Sequence, residues 1–164
     1  MVEEALVRRE GVMKINVKRI PIEGETLRGT EPASIVELDE PDIRFKHDVE
    51  YDFHAQVQGD ALLVTGTVET PATLRCSRCL TTFELPLRVN QFLFHQQLGA
   101  EDFIDLTPNI REDIILELPQ RALCEPQCRG LCPTCGKNLN EGACQCEPSR
   151  GDLRWHALDQ LKLK

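Results

Sequence analysis

The sequence predicts an α+β fold, with an antiparallel β-meander or barrel-like core, two helices and a C-terminal cysteine-rich knob. Three observations point to it. Apolar and polar residues alternate with period two through the middle of the chain. Two stretches combine helical spacing of apolar residues with helix-boundary residues. Six of the eight cysteines crowd into CEPQCRGLCPTCGKNLNEGACQC, Cys124 to Cys146. At 164 residues the chain has the length of one domain.

Residues 1–12 are charged and aperiodic and read as a flexible extension. Residues 13–123 form the β-rich core, which opens with a strand over KINVKRI after Met13. Gly24 to Asp42, GETLRGTEPASIVELDEPD, is broken by Gly, Pro and acidic residues and reads as a loop with one short strand around Ile35 to Leu38. Beyond Asp48 the alternation is clear, with Tyr51, Phe53, Ala55 and Val57 on one face and Asp52, His54, Gln56 and Gln58 on the other. Gly59-Asp60 supplies a reversal. The next strand carries Leu62, Val64, Gly66 and Val68 on its core face and ends at Cys76. After CSRC the pattern resumes with Phe83, Leu85, Leu87 and Val89, then slips phase before Phe92 and Phe94, as a bulge would require. Cys76 and Cys79 therefore sit at a hairpin tip.

The first helix is expected over about 108–118, with Thr107 as N-cap, Pro108 at the first helical position and Pro119 as the stop. The second lies within 147–164, where Leu153, Ala157 and Leu161 recur at i, i+4 and i+8 with Leu158 alongside. Trp155 is expected to anchor its packing.

No early apolar run resembles a signal peptide and no stretch approaches a membrane span, so the expectation is a soluble, cytoplasmic protein. Clustered thiols in a reducing compartment point to metal ligation or redox chemistry rather than disulfides. The net charge of -8 argues against bulk electrostatic coating of a nucleic acid. The acidity is local: residues 31–120 carry 6 basic and 17 acidic side chains, while the flanking segments are close to balanced.

Cys132 and Cys135 form a CPxCG turn, and Cys144 and Cys146 follow as CxC. Such a turn aims two thiolates at one ion, and four thiolates close a tetrahedral structural site, for which zinc is the expected metal. Cys76 and Cys79 can join Cys124 and Cys128 as a second zinc site, because the hairpin tip and the segment after the first helix can meet in space. The rival pairing joins Cys124 and Cys128 with Cys132 and Cys135. Local closure of the 132–146 unit favours the first arrangement. A catalytic zinc would keep an open position beside histidine or carboxylate ligands, and none of His47, His54, His95 or His156 is followed by Glu two positions later. Thiol oxidoreductase chemistry would be expected near a βαβ unit, which the chain lacks. No phosphate loop, nucleotide fingerprint or serine nucleophile motif appears.

CSRCL at Cys76 to Leu80, DIILELP ending at Pro119, C-x3-C-x-GLCPxCGxNLN from Cys124 to Asn140, the closing CQC and the final DLRWHALDQL together resemble the YceD family of large ribosomal RNA subunit accumulation proteins. DLRW stands where a DPRW-like start to the last helix is expected. The resemblance implies an accessory factor in large-subunit biogenesis with no known catalytic activity, and it carries over Cys76, Cys79, Cys124, Cys128, Cys132, Cys135, Cys144 and Cys146. The main expectation built on it is a non-enzymatic zinc-binding module with no small-molecule substrate that engages ribosomal RNA, a large-subunit ribosomal protein or both. On this reading the zinc sites are scaffolding, and Arg129, Lys137, Arg150 and Arg154 on and beyond the knob are the expected phosphate contacts. Two alternatives remain: an acidic chaperone for a basic ribosomal protein, and a redox-switched thiol protein.

Overall fold

Alternating burial along three long segments builds the centre of the molecule. In the computed structural model, which describes residues 6–9 and 12–146, β5 (Val49–Gln58) buries Val49, Tyr51, Phe53 and Ala55 while Asp52 and His54 face solvent. Gly59 and Asp60 turn the chain into β6 (Ala61–Arg75), with Gln58 opposite Ala61. The hairpin tip at 76–81 leads into β7 (Thr82–Gln97), which pairs with β6 over its whole length. β5 covers only the first part of the other edge of β6, and β4 (Ile43–Phe45) pairs with Ala72 to Leu74 beyond it. β3 (Glu25–Glu31) adds outside β5, giving one antiparallel five-stranded sheet.

A second, three-stranded sheet orders β1 (Leu6–Arg9), β2 (Val12–Asn16) and β8 (Phe103–Asp105), so that part of the segment read as an extension pairs with β2. The one α-helix among the described residues, α1 (Thr107–Leu116), follows β8 and buries Ile110 and Ile114 in the same core as Met13, Ile15, Phe53 and Phe92. Each of those isoleucines contributes roughly 1.5–3 kcal/mol by leaving water. Arg111 ties the helix to a 3-10 turn at Ala33–Val36, donating to the Ile35 carbonyl (2.8 Å) and pairing with Glu37 (2.9 Å).

The phase slip lies where the alternation demands it. Val68 faces Val89 and Gly66 faces Phe92, which leaves one extra residue in β7 between the two pairs. Gly66 also stands opposite Phe53, and the Phe53 and Phe92 rings stack across it with centroids 4.6 Å apart. A Cβ at residue 66 would lie 2.0 Å from the Asp52 carbonyl oxygen, so the glycine is what allows the backbones and the two rings to close.

Several expectations are corrected. The α+β class with two helices is overturned: strands make up 45% of the structure, accompanied by one α-helix and two 3-10 turns, so the described residues form a mostly-β fold. The expected second helix and Trp155 lie outside the described residues. Gly24 to Asp42 is not a loop with a strand at Ile35 to Leu38. Its strand is β3, which shows little alternation because Leu27 is its one fully buried apolar side chain, and Ile35 sits in the 3-10 turn. Thr107 is the first residue of α1 rather than its cap, since its hydroxyl accepts the Met13 N–H (2.8 Å) while Asp105 accepts the Thr107 N–H (2.9 Å).

Candidate metal centre

Each cysteine group is built on the same five-residue turn. In CSRCL the Leu80 N–H donates to the Cys76 carbonyl (2.9 Å), and in CPTCG the Gly136 N–H donates to the Cys132 carbonyl (2.9 Å). The fifth residue has a left-handed backbone in both, φ 59 at Leu80 and 73 at Gly136. Glycine accepts this freely; a leucine there costs about 1–2 kcal/mol of backbone strain.

The first group is assembled from distant parts of the chain. Cys76 N–H closes the hairpin tip on the Thr81 carbonyl (2.9 Å), and Ser77 docks the tip on the segment after α1, its N–H (2.8 Å) and hydroxyl (2.9 Å) both donating to Ala122 O. That contact brings Cys124 to 3.6 Å from Cys79 and Cys128 to 3.8 Å from Cys76, sulfur to sulfur. Arg78 locks the junction, donating to the Cys128 carbonyl (2.8 Å) and accepting from Leu131 N–H (3.2 Å).

The second group closes locally. A small ladder, with Cys132 N–H donating to Lys137 O (2.8 Å) and Leu139 N–H to Gly130 O (2.9 Å), holds the CPTCG turn. The chain then returns so that Cys144 and Cys146 face Cys132 and Cys135. In both groups the four sulfurs lie within 4.8 Å of one another. Neither group contains a histidine or carboxylate, and all eight cysteines are free of disulfides.

These distances suit a metal. A zinc ion with four sulfurs at about 2.3 Å has sulfurs about 3.8 Å apart along each tetrahedral edge. The thiol acidities agree with the same chemistry. Burial opposes ionisation of Cys76, but N–H groups of Cys79, Cys124 and Arg78 directed at its sulfur hold its pKa down to about 6. The hydroxyl and N–H of Thr81 lower that of Cys79. Burial and then the neighbouring sulfurs of Cys79, Cys128 and Cys76 push Cys124 up to about 12. In the second group the N–H groups of Cys135 and Thr134 bring Cys132 down to about 6, while Cys135, burial and Cys132 push Cys146 up to about 12. Each set thus stabilises a first thiolate and resists the last. Four thiolates coexist there once a cation sits among them.

Asn140 joins the two groups. It lies in the loop between Cys135 and Cys144, yet its Nδ2 donates to the Cys128 sulfur (3.3 Å) and its Oδ1 accepts the Arg129 N–H (2.7 Å). Asn138 supports it, its Oδ1 accepting from Asn140 N–H (3.1 Å) and Nδ2 (3.0 Å). An asparagine between two ligand pairs was the available sequence signal for this role.

The expected phosphate contacts divide. Arg129 and Lys137 are exposed on the knob, the latter donating to the Ala143 carbonyl (3.0 Å), whereas Arg150 and Arg154 lie outside the described residues. No helix among the described residues is long and apolar enough to cross a membrane.

Residues 95–162 match the family model described as large ribosomal RNA subunit accumulation protein YceD, a span that includes Cys124 to Cys146. An uncharacterised protein of Mycobacterium tuberculosis is 30% identical over 132 residues, 69% of this chain and 61% of the relative. The chain thus spans less than two thirds of the length of the mycobacterial relatives it matches. An uncharacterised Bacillus subtilis protein is 28% identical over 133 residues, 73% of this chain and 77% of the relative. The maize large ribosomal RNA subunit accumulation protein YCED homolog 1, chloroplastic, is 48% identical over 51 residues, 30% of this chain and 17% of the relative. No solved structure matches the chain. The family match lies over the segment that supplies six of the eight clustered thiols, and the plant relatives are named for the same family, so over residues 95–162 the chain is similar to the YceD family.

Proposed function

We propose that the protein is a non-enzymatic, zinc-stabilised accessory factor in large ribosomal subunit biogenesis that supports accumulation of the large-subunit ribosomal RNA in the cytoplasm. The family description supports the biological role. The observation that carries the physical part is the pair of all-cysteine groups, each with four sulfurs within 4.8 Å of one another and no histidine or carboxylate among them. Cys76, Cys79, Cys124 and Cys128 hold one zinc, and Cys132, Cys135, Cys144 and Cys146 hold the other. All four positions of each ion are then filled by protein, so zinc here supplies folding energy and leaves no site for substrate or water. Such an ion contributes roughly 10 kcal/mol or more to a small loop-rich unit.

The first zinc clamps the β6–β7 tip to the segment after α1, and the second makes the knob rigid. Arg129 and Lys137, with Arg150 and Arg154, are contacts to ribosomal RNA or to a ribosomal protein bound beside it. The test is complementation. Cells depleted of the protein are expected to lose large-subunit ribosomal RNA relative to small-subunit RNA, and the wild-type chain to restore it where a Cys76→Ser/Cys128→Ser chain does not. Unchanged ribosomal RNA on depletion contradicts the role; full rescue by the cysteine variant contradicts the need for the first site.

A further inference from the structure

Residues 31–120 are the acidic part of the chain, yet the fold gathers the cations of that segment at one end. Of its six basic side chains, Arg88 pairs with Glu69 (3.1 Å) on the β6–β7 ladder and Arg111 with Glu37 (2.9 Å) at α1. The other four, Arg44, Lys46, Arg75 and Arg78, converge on the β6–β7 hairpin tip. β4 runs antiparallel to the end of β6 with Arg44 opposite Thr73, which puts Arg44 on the face that carries Arg75. Arg44, Lys46 and Arg75 line one open concavity with Leu80 and Thr82. Asp42, paired to Arg75 at 3.2 Å, is the carboxylate among the lining residues. Arg78 projects from the adjoining turn.

These guanidinium groups are ordered largely by neutral partners. Arg44 donates to the Glu40 and Ile43 carbonyls, Arg75 Nε to the Leu80 carbonyl (3.4 Å) and Arg78 to the Cys128 carbonyl (2.8 Å). A carbonyl holds an arginine in place without cancelling its charge. Less side-chain entropy is then lost when the remaining N–H groups meet an anion, and the planar fork matches phosphate oxygens. Leu80 stands at the rim, 49% exposed and left-handed, as an apolar surface in a strained turn that the cysteine cluster holds. Charges beyond about 8 Å are largely screened at physiological salt, so the carboxylates that count against the patch are the near ones: Asp42 within it, and Glu37 and Asp39 in the neighbouring concavity that Arg44 also lines.

We infer that the β6–β7 tip, through Arg44, Lys46, Arg75 and Arg78, binds the phosphodiester backbone of RNA. That the polyanion is RNA rests on the proposed role; the surface rests on the charge and geometry of the tip. Binding through this tip sets the first cysteine group against the nucleic acid.

The experiment measures binding of the zinc-loaded chain to a labelled transcript of large-subunit ribosomal RNA over a salt series. Arg44→Gln/Lys46→Gln/Arg75→Gln is expected to weaken binding and to reduce the slope of log K against log salt by about two to three, one contact per lost cation. Arg44→Gln/Lys46→Gln, which leaves the knuckle untouched, should reduce it by about two. Arg88→Gln should change neither, and zinc content and melting temperature report folding in each variant. Wild-type affinity and slope in the folded double variant, or no salt-dependent RNA binding by the wild type, overturns the inference. Ribosomal RNA levels in depleted cells separate the two readings: a loss there beside unaltered binding by the double variant sinks the surface and leaves the role standing.

Discussion

Replacing Asn140 by alanine isolates the connection between the two cysteine groups. The Nδ2–Sγ bond to Cys128 is 3.3 Å long, and with Asn140 in place Cys128 is 2% exposed. A hydrogen bond to a charged group contributes about 1.5–3 kcal/mol, and losing a partner that orients a metal ligand costs about 10–100-fold in metal affinity. Both figures describe the same loss, since 1.4 kcal/mol is about a factor of ten. Competition for zinc against a chromophoric chelator, resolved into two sites, should show the first site of Asn140→Ala weakened by that factor and the second site, whose ligands Asn140 does not touch, nearly unchanged. Asn140→Asp keeps the acceptor for Arg129 N–H but sets a carboxylate beside a thiolate, and should weaken the first site further than alanine does. Equal loss at both sites, or none at the first, would refute the assignment of Asn140 as the residue that positions Cys128.

Other consequences are open to direct measurement. On stepwise addition of a chelator with an alkylating reagent, Cys132, Cys135, Cys144 and Cys146 should be modified before Cys76, Cys79, Cys124 and Cys128, because Cys135 is exposed while three ligands of the first group are buried; peptide mass spectrometry reads the order, and simultaneous labelling contradicts it. Gly66→Val should prevent native folding or lower stability by more than about 4 kcal/mol, since its Cβ would meet the Asp52 carbonyl oxygen at 2.0 Å, and circular dichroism with thermal melting checks this. Gly136→Ala meets no atom within 4 Å but must adopt φ 73, so a loss of about 1 kcal/mol in denaturant unfolding is expected, with zinc stoichiometry retained.

The parts of the fold legible in the sequence are those where buried apolar residues recur at every second position over most of a strand. Tyr51, Phe53 and Ala55, then Leu62, Val64 and Val68, share a buried face as period two requires, and the slip before Phe92 is visible because Val89 and Phe92 cannot share a face without an extra residue. β3 escapes the same reading because Leu27 is its sole fully buried apolar residue and Glu31 is buried beside it; pairing with β5, not pattern, makes it a strand. The capping reading of Thr107 fails because a hydroxyl suited to a helix start is taken by Met13, 94 residues away. The grouping of the cysteines was accessible through topology: a hairpin tip holding Cys76 and Cys79 and a helix returning toward it leave Cys124 and Cys128 nearby. The basic tip was not, since Arg44 and Arg75 lie far apart in a strongly acidic segment and only the β4–β6 register brings them together.

The central claim, that two all-cysteine sites each hold a structural zinc ion, is tested most directly by native mass spectrometry of the 164-residue chain beside elemental analysis of the same sample. The account predicts two zinc ions per chain, both lost together with native structure on acidification or chelation. One ion or none in a folded chain, with thiols that react freely before any chelator is added, would contradict it.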